Sequence, residues 1–272
     1  MPTGVVDGVR THWLEAGRGE PAVVLLHAFP LHAGMWEPQL EGLSDRYRVV
    51  APDLLGFGAS DAPDDPNAYS VDRWADAVAG LLDHLGLDRV VLGGLSMGGY
   101  VAFAFWRRHR HRLAGLVLAD TRPGSDTAEV AERRSAQARQ VADEGTTTLI
   151  ETLLGGLLGD HTRAHRPMVV DAARRLMDNP PAGFIGALEA MKRRPDSTPD
   201  LASIDVPTLV VVGDDDAASP PEVARHMADA IPEATLAVIP GAGHLSSFEE
   251  PEAFTREVAA LVARCQSQGR SH

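Results

Sequence analysis

Cysteine occurs once in the 272 residues, at Cys265, so no internal disulfide framework can form, and the chain is expected to work in reducing cytoplasm. Lysine is equally scarce: Lys192 stands alone and the remaining basic residues are arginines, a habit of composition and not of function. A basic excess is missing altogether. The formal charge is −13 at pH 7, whereas a surface that grips nucleic acid or anionic lipid needs the opposite sign. No apolar run approaches the roughly 18 residues of a membrane span, and the opening "MPTGVVDGVRTHWLEAG" lacks the apolar core of a signal peptide. Repeats and low-complexity tracts are absent. The expected partner is therefore a small neutral or weakly anionic molecule, with no nucleic acid and no membrane; nothing in the sequence reports oligomeric state.

Hydrophobic residues make up 44% of the chain, enough at this length for one large core. Short apolar runs rich in branched residues recur at 23–27, 49–53, 90–94, 116–120, 208–213 and 236–240. They are uninterrupted, not alternating, and each meets Gly, Pro, Asp or His at its end, which predicts parallel strands buried on both faces. Helix-length segments lie between most of them. "SVDRWADAVAGLLDHLG" has an N-cap candidate in Ser70 and a stop at Gly86, and "EPEAFTREVAALVARC" reads as the last helix. The alternation predicts an α/β fold, a mostly parallel central sheet flanked by helices. From 123 to 200 the rhythm breaks and helical segments follow one another. This predicts a helical cap, 123–200, inserted between a first core part, 1–122, and a second, 201–265, with 266–272 a loose tail.

Within "VVLGGLSMGGYVAF" the string Gly94-Leu95-Ser96-Met97-Gly98 falls between a strand and a helix. On such a turn the pattern G-x-S-x-G has a mechanical reason: the serine takes a strained backbone conformation at the tip, and side chains at Gly94 or Gly98 would collide with neighbouring elements. Ser96 is thus presented as a nucleophile, with Met97 at the positive end of the helix. A phosphate-cradling loop is the poorer reading, because no G-x-x-x-x-G-K-[ST] string is present and no lysine follows, and a plain structural turn is the remaining alternative.

A serine hydroxyl needs a base, and the base an orienting acid, in the chain order Ser, acid, His for this kind of turn. His244 lies in "PGAGHLSSFEEPE", after the last strand and before the last helix. His161 and His165 lack a third ligand and are expected to be surface residues, so no metal is predicted. The acid comes from "VVVGDDDAASPPE", where spacing leaves Asp214, Asp215 and Asp216 open, or from Asp120 at the end of an earlier strand.

"LLHAFPLHAGMWEPQL", "VVAPDLLGFGASDAP", "VLGGLSMGGYVAF", "PTLVVVGDDDAASPPE" and "PGAGHLSSFEEPEAF", in that order, resemble the successive signature segments of the α/β-hydrolase superfamily, in its small esterase and enol-lactonase branch. The likeness runs from about residue 12 to 265. It implies the α/β-hydrolase fold, a Ser96-Asp216-His244 triad, and an oxyanion hole formed by the backbone N–H groups of Phe29 and Met97. The sequence departs from the branch's H-G-x-P by carrying Ala28 in place of glycine. It also implies hydrolysis of small carboxylic esters or lactones through an acyl-enzyme, with no cofactor. C–C bond hydrolysis, acyl transfer or perhydrolysis on the same triad, and a non-enzymatic ligand receptor, are the competing functions. A serine at the turn argues against the haloalkane dehalogenase and epoxide hydrolase resemblances, which need a carboxylate nucleophile there. Phe29, Met35, Trp36 and the stretch containing Leu154 are expected to line an apolar pocket. Arg122 either meets a substrate carboxylate or pairs with a local aspartate.

Overall fold

A computed structural model describes residues 2–269 and arranges eight strands in one sheet of order β1-β2-β4-β3-β5-β6-β7-β8. The six apolar runs of the sequence are β3 (Ala22–Leu26), β4 (Val49–Pro52), β5 (Val90–Leu95), β6 (Leu113–Ala119), β7 (Thr208–Gly213) and β8 (Ala234–Ile239). They pair in parallel throughout. β3 and β5 are fully buried along their whole length, whereas β8, at the edge, is mostly half-exposed.

Two strands were not expected. β1 (Thr3–Val6) and β2 (Val9–Ala16) form an antiparallel hairpin joined by Asp7 and Gly8, and β2 then pairs antiparallel with β4. Their residues mix buried and exposed positions, so a search for uninterrupted apolar runs passes over them.

The helices follow the chain as α1 (Glu37–Leu43), α2 (Val71–His84), α3 (Met97–His109), α4 (Ala128–Glu144), α5 (Thr147–Leu157), α6 (Asp160–His165), α7 (Pro167–Leu176), α8 (Pro181–Lys192), α9 (Pro221–Ala230), α10 (Ser246–Glu249) and α11 (Pro251–Gly269). α2 shows how sequence sets both ends. The Ser70 side chain accepts from Arg73 N at 3.1 Å, Trp74, Val78, Leu81 and Leu82 bury one face, and the chain leaves the helix at Gly86 with φ +66. The five helices α4 to α8 lie between β6 and β7 with no strand among them.

The expected loose tail from 266 is corrected in part. α11 continues through Gly269, and Gln266 Nε2 donates to Glu20 O at 2.6 Å, tying the last turns of the helix to the loop before β3. Residues 270–272 lie outside the described residues. Among the described residues no helix is long and apolar enough to cross a membrane.

Candidate active site

Ser96 stands between β5 and α3 with φ 53 and ψ −110, a conformation that L-residues avoid unless their surroundings impose it. The surroundings here are tight. A Cβ on Gly94 would overlap the backbone of Gly98, and one on Gly98 would overlap the carbonyl of Leu26 at the end of β3. Ser96 N–H donates to Ala119 O at 2.9 Å, fastening the turn to the end of β6, and the Thr121 hydroxyl donates to Ser96 O at 2.9 Å.

His244 reaches this serine from the loop after β8. Its Nε2 lies 2.7 Å from Ser96 Oγ, and its Nδ1 lies 2.9 and 2.8 Å from Asp216 Oδ1 and Oδ2. An ionised carboxylate only accepts, so Nδ1 carries the hydrogen and Nε2 is left to accept from the Ser96 hydroxyl. Asp216 Oδ1 also accepts from Ala218 N and Ser219 N, both at 2.8 Å, which fixes the carboxylate in the turn before α9. His244 and Asp216 are 4% and 3% exposed, so water competes little for these bonds.

The other aspartates that spacing left open are engaged elsewhere. Asp214 Oδ1 accepts from Gly241 N at 2.7 Å, and Asp215 Oδ2 accepts from Asp160 N at 2.6 Å, at the first residue of α6. Asp120 braces the ends of three segments: its carboxylate accepts from Gly213 N at 2.9 Å and from the Ser246 hydroxyl at 2.5 Å, beside its own strand β6. Burial, and then the charge of Asp216, push the Asp120 carboxyl well above the usual carboxylate range.

Neither Phe29 N–H nor Met97 N–H has an intramolecular acceptor among the described residues. Ala28, the departure from glycine, is fully buried; its N–H is turned toward Met35 Sδ at 3.3 Å. Next to it, His27 accepts from Leu54 N at 3.0 Å through Nε2, and its Nδ1 donates to Ala28 O at 3.0 Å. That pattern requires a neutral ring, and burial lowers its pKa to about 4.

A cleft of about 550 Å³ opens over Ser96 and His244. Phe29 and Arg122 line it from the sheet side, and Leu153, Leu157 and Met191 from the helices between β6 and β7. Three expected pocket residues are corrected. Trp36 is 1% exposed and packs on Phe254 of α11, 5.8 Å between ring centres, away from the cleft lining. Leu154 is buried, while Leu153 and Leu157, one helical turn apart, take the cleft side of α5. Met35 is likewise core, with its sulfur against Ala28 N. Arg122 lies in the cleft and makes no ion pair among the described residues.

Sequence reasoning missed Glu249. Its carboxylate accepts from Gly243 N and Gly159 N, both at 2.9 Å, and so clamps the loop carrying His244 to the start of α6. His244 N–H adds a bond to Leu157 O at 3.0 Å. Burial raises the Glu249 carboxyl above its ordinary range, against the pull of these donors. Among the described residues no group of three or more His, Cys, Asp or Glu is placed to hold a metal ion.

The family model described as alpha/beta hydrolase fold matches residues 21–251. An esterase from Thermogutta terrifontis, solved in a malate-bound form, is 41% identical with a TM-score of 0.92, covering 97% of this chain and 98% of that one. An enol-lactonase from Burkholderia xenovorans is 30% identical with a TM-score of 0.88, over 96% of this chain and 100% of that one. The haloalkane dehalogenase 2 of Mycobacterium tuberculosis is 30% identical over 268 residues, 94% of this chain and 91% of the relative.

Proposed function

The chain belongs to the α/β-hydrolase family, a hydrolase fold shared with esterases and enol-lactonases, and from that premise we propose that it cleaves small carboxylic esters or lactones with Ser96 as nucleophile. The observation that carries this reading is the unbroken line of hydrogen bonds from Ser96 Oγ through His244 to Asp216 at the floor of a cleft.

In the first half of the reaction His244 Nε2 takes the hydroxyl proton as Ser96 Oγ bonds to the ester carbonyl carbon. The carbonyl oxygen becomes an oxyanion, held by the N–H groups of Phe29 and Met97, whose lack of internal acceptors suits them to the task. The C–O bond to the alcohol then breaks and the imidazolium gives its proton to the departing oxygen. In the second half a water, deprotonated by the same nitrogen, attacks the acyl-enzyme; the acid leaves and Ser96 regains its proton. The balance is one ester and one water to one acid and one alcohol, with the alcohol remaining tethered when the substrate is a lactone. Asp216 orients the ring and stabilises the imidazolium formed in both halves. Each backbone donor to the oxyanion is worth about 3 kcal/mol in the transition state.

The stretch 123–200 acts as a cap in this reading, since its helices supply Leu153, Leu157 and Met191 to the wall above the serine. A serine at the turn sets the chain apart from haloalkane dehalogenase chemistry, which uses a carboxylate at that position. The single cysteine fits a cytoplasmic location.

Steady-state hydrolysis of p-nitrophenyl esters of short to medium chain length tests the proposal. Rapid turnover by the wild type should fall by about four orders of magnitude or more in Ser96→Ala. Undiminished turnover in that variant would remove Ser96 from the mechanism, and near-zero turnover by the folded wild type would favour a ligand-binding role.

A further inference from the structure

The histidine of the trio hangs on a carboxylate that takes no part in the bond making. Three segments meet backbone to backbone beside His244: the end of β7 at Gly213, the loop 241–243, and the joint between α5 and α6 at Gly159. A Cβ on Gly213 would overlap the carbonyl of Gly243, and one on Gly243 would overlap the backbone N of Gly159, so this stack admits only glycine. The N–H groups of Gly243 and Gly159 find their acceptor in a single side chain, Glu249 of α10, whose Oε1 takes the first and Oε2 the second, both at 2.9 Å. His244 follows Gly243 directly, and its own N–H donates to Leu157 O at 3.0 Å.

Glu249 is fully buried, and among the described residues no cation pairs with its carboxylate. The charged groups around it are engaged with others. Arg166, just before α7, donates to the backbone carbonyl of Glu249 at 2.6 Å and to Glu250 Oε1 at 2.9 Å. Arg163 of α6 pairs with Asp160, Asp215 accepts from Asp160 N, and His161 and His165 stack on the exposed side of α6. His244 is held by Asp216, and Asp120 by the Ser246 hydroxyl. Burial raises the Glu249 carboxyl above its ordinary range; the Thr162 hydroxyl, fully buried with no other partner among the described residues, and the N–H groups of Gly159, Gly243 and Leu245 pull it back.

An ionised carboxylate accepts at both oxygens, whereas a protonated one carries an O–H on one of them. Each oxygen of Glu249 faces a glycine N–H, so a proton on either displaces a bond, and what it lets go is the joint of the helices or the loop of the base. We propose that Glu249 is the positioning residue for His244: its charged carboxylate holds the base beside Ser96 and ties it to the α5–α6 joint, and loss of the charge lets the imidazole leave its place. Protonation relieves a buried charge, which favours the fold, and costs one of two bonds, which loosens the site. A chain that is still folded then carries a misplaced base. A displacement of about 1 Å in a reacting group is enough to lower turnover by about 100-fold. The inference rests on the hydrolytic reading of the site, and its tests separate the two.

In Glu249→Gln the amide keeps one acceptor and turns an NH2 toward the other glycine. With p-nitrophenyl acetate, kcat should fall by about 10- to 100-fold while KM stays within about twofold, the mark of an interaction felt in the transition state. Toward low pH, log kcat should fall more steeply in the wild type than in Glu249→Gln by about one proton, because His244 and Glu249 must both be free of added protons for turnover. Asp120 titrates in both chains and cancels in the difference. Thr162→Val, which removes a donor to Glu249, should move the extra limb to higher pH, and Glu252→Gln, exposed at the start of α11, should leave the profile as it was. Equal steepness in wild type and Glu249→Gln, or a loss confined to KM, would overturn the proposal. The 15N spectra of histidine-labelled protein read the same coupling without turnover, with His244 assigned by its absence from His244→Gln. Its ring signal should titrate in two steps in the wild type, the second step missing from Glu249→Gln and moved upward in Thr162→Val. That pattern in a chain that hydrolyses no ester would keep the positioning and discard the hydrolytic reading; one step in every chain would discard the positioning. If Glu249→Gln does not fold, Thr162→Val decides the point, and a second step that stays in place there would overturn the proposal.

Discussion

The turn around Ser96 and the helices α4 and α5 line one cleft, yet they are built to opposite tolerances. At the turn, backbone packs on backbone so closely that Gly94 and Gly98 have no room for a methyl group. Across the cleft, α4 buries only Ala138 and Val141 of its 17 residues, and Gly155 and Gly156 of α5 have open space where a Cβ would go. Specific ties join the end of α5 and the start of α6 to the loops that carry Asp216 and His244: Glu249 to Gly159 N, His244 N–H to Leu157 O, and Asp215 to Asp160 N. In the proposed reaction the first side would fix the geometry of bond making, and the second would be free to vary the shape and charge that a substrate meets.

The neighbouring aspartates give the sharpest test of that division. Asp216→Asn presents His244 Nδ1 with a side chain that can favour the wrong tautomer, and turnover should fall by about four orders of magnitude. Asp215→Asn touches only the tie to α6 and should cost a few-fold at most. Comparable losses in the two variants would break the comparison, because positioning of the helices would then matter as much as the trio itself.

Protonation separates the two sides next. His27, under the turn, is neutral in the fold with its pKa lowered to about 4, and unfolding returns it to its ordinary 6.5. The unfolded chain therefore binds more protons between these values, and stability present above pH 6.5 is lost as pH falls toward 4, by about 3 kcal/mol from this group. Asp120 and Glu249, with raised pKa values, act in the opposite sense and favour the fold as they take up protons. Urea unfolding at pH 7 and at pH 4.5 should show a smaller drop in His27→Gln than in the wild type. Glu151→Gln, which breaks the water-exposed pair with Arg174, should leave the drop as it was. Equal slopes in wild type and His27→Gln would show that His27 does not carry the effect.

The smallest effects compare one methyl group on either side. Gly98→Ala forces the carbonyl of Leu26 to move and should lower stability by about 2 kcal/mol along with turnover. Gly155→Ala adds the same atom to an exposed helix with open space and should raise stability by about 0.5–1 kcal/mol. Thermal or urea unfolding of both variants reads the difference, and two changes of the same sign would contradict it.

Local constraints explain what could be read in advance. A strand, a glycine, a serine and a glycine in fixed order identify the turn because each contact that demands glycine comes from within a few residues or from the adjoining strand. The parallel strands β3 to β7 were legible for a related reason, since burial on both faces leaves no polar position to interrupt them. β1 and β2 were not, because their alternating exposure dilutes the apolar signal. The cleft wall was legible only in composition. Leu153 and Leu154 are indistinguishable as letters, yet one residue turns a side chain by about 100° around a helix, so one lines the cleft and the other fills the core. Trp36 was misplaced for the same reason, its partner Phe254 lying in the last helix. Between Asp215 and Asp216 spacing left the choice open; hydrogen-bond partners distinguish them.

The positions 96, 216 and 244 also give refolding an order that can be tested. Ser96 is carried by β5, at the centre of the sheet, whereas Asp216 and His244 arrive with β7 and β8, after the long helical excursion. Closing so long a loop precedes any reward from the strand pairing it permits. In a refolding chain the central strands and their helices can register as ellipticity while the serine still lacks its base. Recovered turnover is then a clock for the docking of the last two strands, and a stopped-flow trace that follows both signals would read the interval between them.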